Sequence, residues 1–145
     1  MEKNILLADD DGDDYEIFRE SLDATECKPS LFRTEDGIGV FDFLSGSNPR
    51  PDVIFLDLNM PIMNGWQCLA KLKNEPAFSD IPVIIYTTSS HYRDYEIASS
   101  LDAHGVITKP SNPRILTQVL KRIVCTLGTE DLRQAIKDAY LITQE

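Results

Sequence analysis

Hydrophobic and polar positions along this chain alternate between two kinds of segment. Five short apolar runs, Asn4–Ala8 (NILLA), Ser30–Thr34, Val53–Leu56 (VIFL), Ile81–Tyr86 (IPVIIY) and Gly105–Thr108, are rich in β-branched, aromatic and Leu residues. Runs this short without polar alternation predict strands buried on both faces. Between them lie longer segments whose apolar residues recur at helical spacing. Tyr15–Leu22 offers Ile17, Phe18 and Leu22, and the segment from Asp36 offers Ile38, Val40, Phe41 and Leu44. Trp66–Lys73 offers Trp66, Leu69 and Leu72, and residues 91–102 offer Ile97, Ala98 and Leu101. From Asn112 or Pro113 a fifth helix carries the rows Ile115/Val119/Ile123 and Leu116/Leu120/Val124 and stops at Gly128. Strand–helix alternation five times over predicts an α/β fold, a parallel sheet with right-handed crossovers and helices on both faces.

Length and composition narrow this picture. The 145 residues suit one domain, and 42% hydrophobic content supports a packed core. No apolar run reaches the roughly 18–20 residues that span a membrane. Acids interrupt the N-terminal segment MEKNILLADDD too early for a signal peptide. Cys27, Cys68 and Cys125 have no metal or redox spacing, which predicts reduced thiols in a cytoplasmic protein. The net charge of −10 argues against sequence-independent nucleic-acid binding. That charge is concentrated: residues 1–108 hold 8 basic and 20 acidic groups, residues 109–145 hold 6 and 4.

The chemistry gathers at the strand ends. The first strand runs into Asp9, Asp10 and Asp11, followed by Asp13 and Asp14. Two carboxylates about 5 Å apart repel by roughly 3 kcal/mol at an effective dielectric near 20. Helix capping accounts for Asp11, Asp13 and Asp14. It does not account for Asp9 and Asp10, which predict a metal site. The third strand ends on Asp57, ahead of Met60-Pro61 and the Asn64-Gly65 turn; the fourth leads to Thr87 and the fifth to Lys109. In a parallel sheet these groups share the edge where α/β folds bind ligands. Three carboxylates suit a hard cation such as Mg²⁺. A lysine and a threonine hydroxyl suit phosphoryl oxygens. Asp57 is then an acid able to accept a phosphoryl group.

With those groups assembled, the chain resembles the receiver domain of two-component response regulators over roughly residues 3–127. The resemblance rests on ILLADDD, DVIFLDLNMP with MNG, IIYTTS and TKP. It implies a flavodoxin-like, doubly wound five-stranded sheet of order 2-1-3-4-5. It implies Asp9, Asp10, Asp57 and the Asn59 backbone carbonyl as Mg²⁺ ligands, Asp57 as phosphoacceptor, Thr87 as switch hydroxyl and Lys109 as phosphate partner, with a cis Lys109–Pro110 bond. The implied protein is a stand-alone response regulator, phosphorylated by a histidine kinase or histidine phosphotransfer protein and signalling to an output protein.

Two features depart from the family pattern. Val106 stands where an aromatic is common, so activation is expected to rest on Thr87 and loop shifts. Residues 128–145 form an extension in which Thr129 caps a helix striped with Leu132, Ala135, Ile136, Ala139 and Tyr140. That stripe either packs on its own domain or meets a second chain. An Asp-nucleophile phosphohydrolase would share the acid–Mg²⁺–Lys set but needs a second acid two residues after the nucleophile. Asn59 occupies that position and cannot transfer protons. A receiver-like module that is never phosphorylated is disfavoured because every chemical position is filled. His91 and His104 are expected on the surface or in loops, and Trp66 in helix packing near the site.

Overall fold

A computed structural model of the chain describes residues 2–144. Five parallel strands, β1 (Asn4–Ala8), β2 (Ser30–Thr34), β3 (Val53–Leu56), β4 (Val83–Thr87) and β5 (Gly105–Thr108), form one sheet in the order β2-β1-β3-β4-β5. Alternate strand residues feed two cores, as the period of two requires. Ile5, Leu7, Val53, Phe55, Ile84 and Tyr86 face helices α1 (Gly12–Ala24) and α5 (Pro113–Thr126). Leu6, Ala8, Ile54, Leu56, Val83 and Ile85 face α2 (Gly37–Ser45), α3 (Gly65–Asn74) and α4 (Tyr92–Ser100). The fold is flavodoxin-like and doubly wound, in the strand order expected from the sequence.

Local chemistry fixes the helix starts. The Asp11 side chain accepts the Asp13 and Asp14 N–H groups, and Asn64 and Gln67 form a reciprocal capping box at α3. Asn112 caps α5, with Pro113 at its first position. Two expected inward residues point out: Ile17 and Ile38 are exposed. On α1 the buried face is set by Phe18, Ser21 and Leu22, which puts Ile17 a quarter-turn away; on α2 Val40 leads. The fourth strand begins two residues later than expected and takes in Thr87, because pairing with β5 continues to Thr87–Thr108.

The extension forms a sixth helix, α6 (Leu132–Thr143), which packs across the outer edge of β5. Leu132, Ile136 and Ala139 join the α1/α5 core, while Tyr140 reaches Tyr95 of α4 with ring centroids 4.5 Å apart. Gly105 makes room for this: a Cβ there would stand 2.3 Å from Ile136 Cγ2. An unpaired strand edge exposes donors and acceptors. Here the Thr108 N–H donates to Thr143 Oγ1 at 3.2 Å. Of the two roles open to the stripe, the structure supports packing on its own domain. Thr129 does not cap the helix; it accepts the Asp131 N–H, and Asp131 occupies the cap position. The Lys109–Pro110 bond is trans, since no peptide bond among the described residues is cis. Thr87 and Lys109 are held directly by the ladder instead, the Lys109 N–H donating to the Thr87 carbonyl at 2.7 Å. No helix among the described residues is long and apolar enough to cross a membrane.

Candidate functional site

Parallel strands deliver their carboxyl ends to one edge, and there the charged groups meet. Asp57 follows β3 directly, its N–H donating to the Ala8 carbonyl at 2.9 Å. Asp9 follows β1, its N–H donating to the Thr34 carbonyl at 3.0 Å. Both are buried, while Asp10 is exposed. One carboxylate oxygen from each of Asp9, Asp10 and Asp57 lies within 4.8 Å of the others. Three oxygens so close, on a pocket open at Asp10, fit a hard divalent cation that keeps part of its water shell.

Lys109 enters from the end of β5. Its ammonium donates to Asp9 Oδ2 at 2.9 Å, to Asp14 Oδ2 at 2.7 Å and to Asp57 Oδ2 at 3.4 Å. It also stands 5.3 Å from the centre of the Tyr86 ring. Burial opposes its charge, but its hydrogen bonds to Asp14 and Asp9 and the Asp9 and Asp57 charges outweigh that and raise its pKa. Asp57 shows the opposite balance. Burial pushes its carboxyl up to about 6, the Asp9 charge adds to this, and Lys109 and the Asn59 N–H only partly offset it. A carboxylate held that far above its ordinary range is under-compensated, a common mark of a functional group.

The surrounding loops complete the pocket. The Asn59 N–H reaches Asp57 Oδ1 at 3.4 Å. Gly65 is required behind it, because a Cβ would stand 2.4 Å from the Asp57 carbonyl oxygen. Thr87 is fully buried and its hydroxyl accepts the Ser89 N–H at 3.2 Å. A groove lined by Leu58, Asn59, Met60, Asn64, Trp66, Thr87, Ser89 and Asp94 adjoins the pocket, so Trp66 both packs α3 and walls this groove. Val106 is buried in β5 among the α2/α3/α4 core residues.

The structure thus brings together Asp9, Asp10, Asp57 and Lys109, with Asn59 on the adjoining loop and Thr87 at the end of β4. Sequence reasoning missed Asp14, assigned to capping; its carboxylate instead turns inward to make the shortest contact to Lys109. Five acids in six residues were the available signal, since a cap uses only one of them. His91 is exposed at the start of α4 as expected. His104 lies in the loop before β5, as expected, and is half-buried. Its Nδ1 is buried without a partner, and burial, with Arg133 and Lys73 nearby, lowers its pKa to about 4 and keeps it neutral.

Comparison with known proteins agrees with this geometry. The response regulator receiver domain family matches residues 5–121. The response regulator Rcp1 of Synechocystis sp. is 32% identical over 126 residues, covering 83% of this chain and 86% of that protein. The chemotaxis protein CheY1 of Helicobacter pylori is 28% identical over 127 residues, 88% of this chain and 98% of its own length. Among solved structures, the Mn²⁺-bound form of Rcp1 superposes with a TM-score of 0.76 at 32% identity, covering 88% of this chain and 96% of that one. The phosphorylated cyanobacterial phytochrome response regulator RcpA gives 0.78 at 30% identity, covering 88% and 94%. A buried acid at the end of β3, faced by two acids from β1 and a lysine from β5, on a five-stranded doubly wound sheet matched along most of its length, makes this chain a member of the response regulator receiver domain family of two-component signalling.

Proposed function

We propose that this chain is a response regulator that accepts a phosphoryl group on Asp57 with the help of Mg²⁺ and signals through a changed surface to an output protein. One observation carries the reading: the buried Asp57 carboxylate shares Lys109 with Asp9 while the Asp9, Asp10 and Asp57 oxygens converge within 4.8 Å. Asp9, Asp10, Asp57 and the Asn59 backbone carbonyl would hold the cation, which supplies positive charge beside the transferring phosphoryl group when bound. The Mn²⁺-bound form of the relative Rcp1 supports a divalent ion in this pocket.

In the transfer, an Asp57 carboxylate oxygen bonds to phosphorus as the bond to the donor's imidazole nitrogen breaks; the donor ring, protonated on its other nitrogen, takes the bonding pair and leaves as neutral imidazole. Lys109, already 3.4 Å from Asp57, moves from carboxylate to phosphoryl oxygen and neutralises part of its charge. The Thr87 hydroxyl, at the end of the neighbouring strand, donates to another phosphoryl oxygen. Such a shift changes its bond to the Ser89 N–H and with it the start of the loop to α4. Asn59 offers no proton-transfer group, so the phosphoryl group is kept rather than turned over rapidly. Donors of the histidine kinase or histidine phosphotransfer class fit this chemistry, in the cytoplasm where they deliver phosphate. The receiver domain spans 3–127 and residues 128–145 are its C-terminal extension.

The test is incubation with Mg²⁺ and acetyl phosphate, followed by intact mass measurement. Wild type gains one phosphoryl group only when Mg²⁺ is present, and Asp57→Asn gains none. Absence of the Mg²⁺-dependent species in wild type, or its persistence in Asp57→Asn, overturns the assignment.

A further inference from the structure

At the end of the sheet opposite the acidic pocket, two cysteines from distant parts of the chain face each other. Cys27 lies in the α1–β2 loop and Cys125 in the last turn of α5; their sulfurs are 3.9 Å apart. Cys125 is exposed and Cys27 half-buried, so an oxidant reaches the first and the second waits beside it. Cys27 is held in place. Its N–H donates to Thr25 Oγ1 at 3.3 Å, its sulfur contacts the Thr25 carbonyl at 3.5 Å, and the Thr25 hydroxyl donates to the Leu22 carbonyl at 2.6 Å. The residues on either side, Glu26 (φ 62°) and Lys28 (φ 50°), both sit in the left-handed region without being glycine. Such conformations cost free energy and persist only where the surroundings fix them. The loop therefore presents the Cys27 sulfur in one place rather than by chance encounter.

A disulfide requires sulfurs about 2.05 Å apart. The gap closes by about 2 Å, within reach of a side-chain rotation of Cys125 on the solvent face of its helix. The third cysteine offers no competition: Cys68 is buried in the α3 core and burial pushes its thiol up to about 12. Partial burial and the contact with Cys27 hold the Cys125 thiol above its ordinary range, so the thiolate is the minor form and its reaction with a peroxide is slow.

We propose that Cys27 and Cys125 form a redox modification site, oxidised by a hydroperoxide to an intramolecular disulfide. The Cys125 thiolate attacks the peroxide's terminal oxygen; the O–O bond breaks, leaving a sulfenic acid on Cys125 and releasing an alcohol, or water from hydrogen peroxide. The Cys27 thiolate then attacks the Cys125 sulfur, the S–O bond breaks, and hydroxide leaves as water with the Cys27 proton. Two thiols lose two electrons and two protons, and one peroxide is reduced to alcohol and water. A dithiol reverses the bond by exchange. The product ties the α1–β2 loop to the end of α5, across a sequence separation of 98 residues and immediately before the Gly128 turn that launches α6.

The test uses the full chain treated with stoichiometric hydrogen peroxide, then alkylated and digested without reduction. The expected product is two hydrogens lighter, with Cys27 and Cys125 peptides joined, Cys68 free, and full reversal by dithiothreitol. Closing a loop this long predicts a midpoint of thermal unfolding raised by about 5–10 °C, abolished in Cys125→Ser. In Cys27→Ser the sulfenic acid on Cys125 has no partner and is trapped by dimedone, whereas wild type yields no such adduct. Should Cys27→Ser fail to fold, the wild-type peptide map decides alone. Trapped or over-oxidised Cys125 beside free Cys27, a Cys125–Cys125 dimer as the main product, or three unreacted thiols would each overturn the site.

Discussion

Replacing Asp57 by Asn should stabilise the metal-free protein, and the gain should depend on pH in a defined way. Asp57 is buried to 8% side-chain exposure and its carboxyl is pushed up to about 6, chiefly by burial and next by competition between the stabilising Lys109 and the repelling Asp9. The ordinary value is 3.8, so ionising this group in the fold costs about 3 kcal/mol more than in the unfolded chain. Between those two pH values the folded state binds more protons than the unfolded one, so stability falls as pH rises. Below 3.8 both states are protonated and the cost is absent; above about 6 both are ionised and the cost is complete. Asn keeps the shape without the charge, and Lys109 retains Asp9 and Asp14.

The measurement is urea and thermal unfolding of wild type and Asp57→Asn in EDTA, at pH 7.5 and pH 4. At pH 7.5 the variant should be more stable by about 3 kcal/mol, or about 6–12 °C for a chain of this size. At pH 4 the gap should nearly close. Other carboxylates titrate in both proteins and cancel in the difference. Mg²⁺ should narrow the gap at pH 7.5 by stabilising wild type preferentially, because the charge that costs in its absence then has a partner. An Asp57→Asn protein no more stable than wild type at pH 7.5 in EDTA, or a gap of equal size at pH 4, would refute the reasoning.

Three further perturbations test the surrounding structure. Asp14→Asn removes the closest charged partner of Lys109, and because Asp14 is partly exposed the stability loss should be only about 1 kcal/mol. With that competitor gone Lys109 is freer to hold the phosphoryl group, so the Asp57 acyl phosphate should decay severalfold more slowly in timed intact-mass measurements; an unchanged lifetime counts against a competing role. Gly65→Ala places a Cβ 2.4 Å from the Asp57 carbonyl oxygen and 2.8 Å from Leu58 Cα, both backbone, so the β3–α3 junction must move. A loss of about 3 kcal/mol or more in denaturant unfolding, together with impaired phosphorylation, is expected. Removing 129–145 uncovers the faces packed on Leu132, Ala135, Ile136 and Ala139 at a cost of roughly 4–8 kcal/mol, comparable with the whole stability of a domain. The truncated chain should unfold at far lower urea or aggregate; full-length stability would contradict the packing described for α6.

What the sequence made legible was whatever a local pattern can carry. A four-residue apolar run ending in an acid marks Asp57 by itself, and strand ends mark Asp9 and Lys109 in the same way, so the pocket can be assembled from the strand ends alone. Asp14 escaped because its position in a first helical turn has an adequate local explanation; its real partner arrives from 95 residues away. The apolar stripe of α6 was visible too, but a stripe packs equally well on its own sheet or on a second chain. The deciding facts are non-local: Gly105 leaves space for Ile136, and the Thr108 N–H at the open edge of β5 needs an acceptor that Thr143 supplies. The same contacts give the extension a route to the pocket that no sequence pattern shows. The Thr87 hydroxyl accepts the Ser89 N–H, the Thr108 hydroxyl donates to the Ser89 carbonyl, and the Gln144 side chain donates to Thr108 Oγ1 at 3.0 Å. Val106 leaves no aromatic ring to carry a change at Thr87 outward, yet this chain of hydrogen bonds runs from Thr87 to the end of α6. Residues 128–144 are therefore joined to the acidic pocket by hydrogen bonds as well as covering a strand edge.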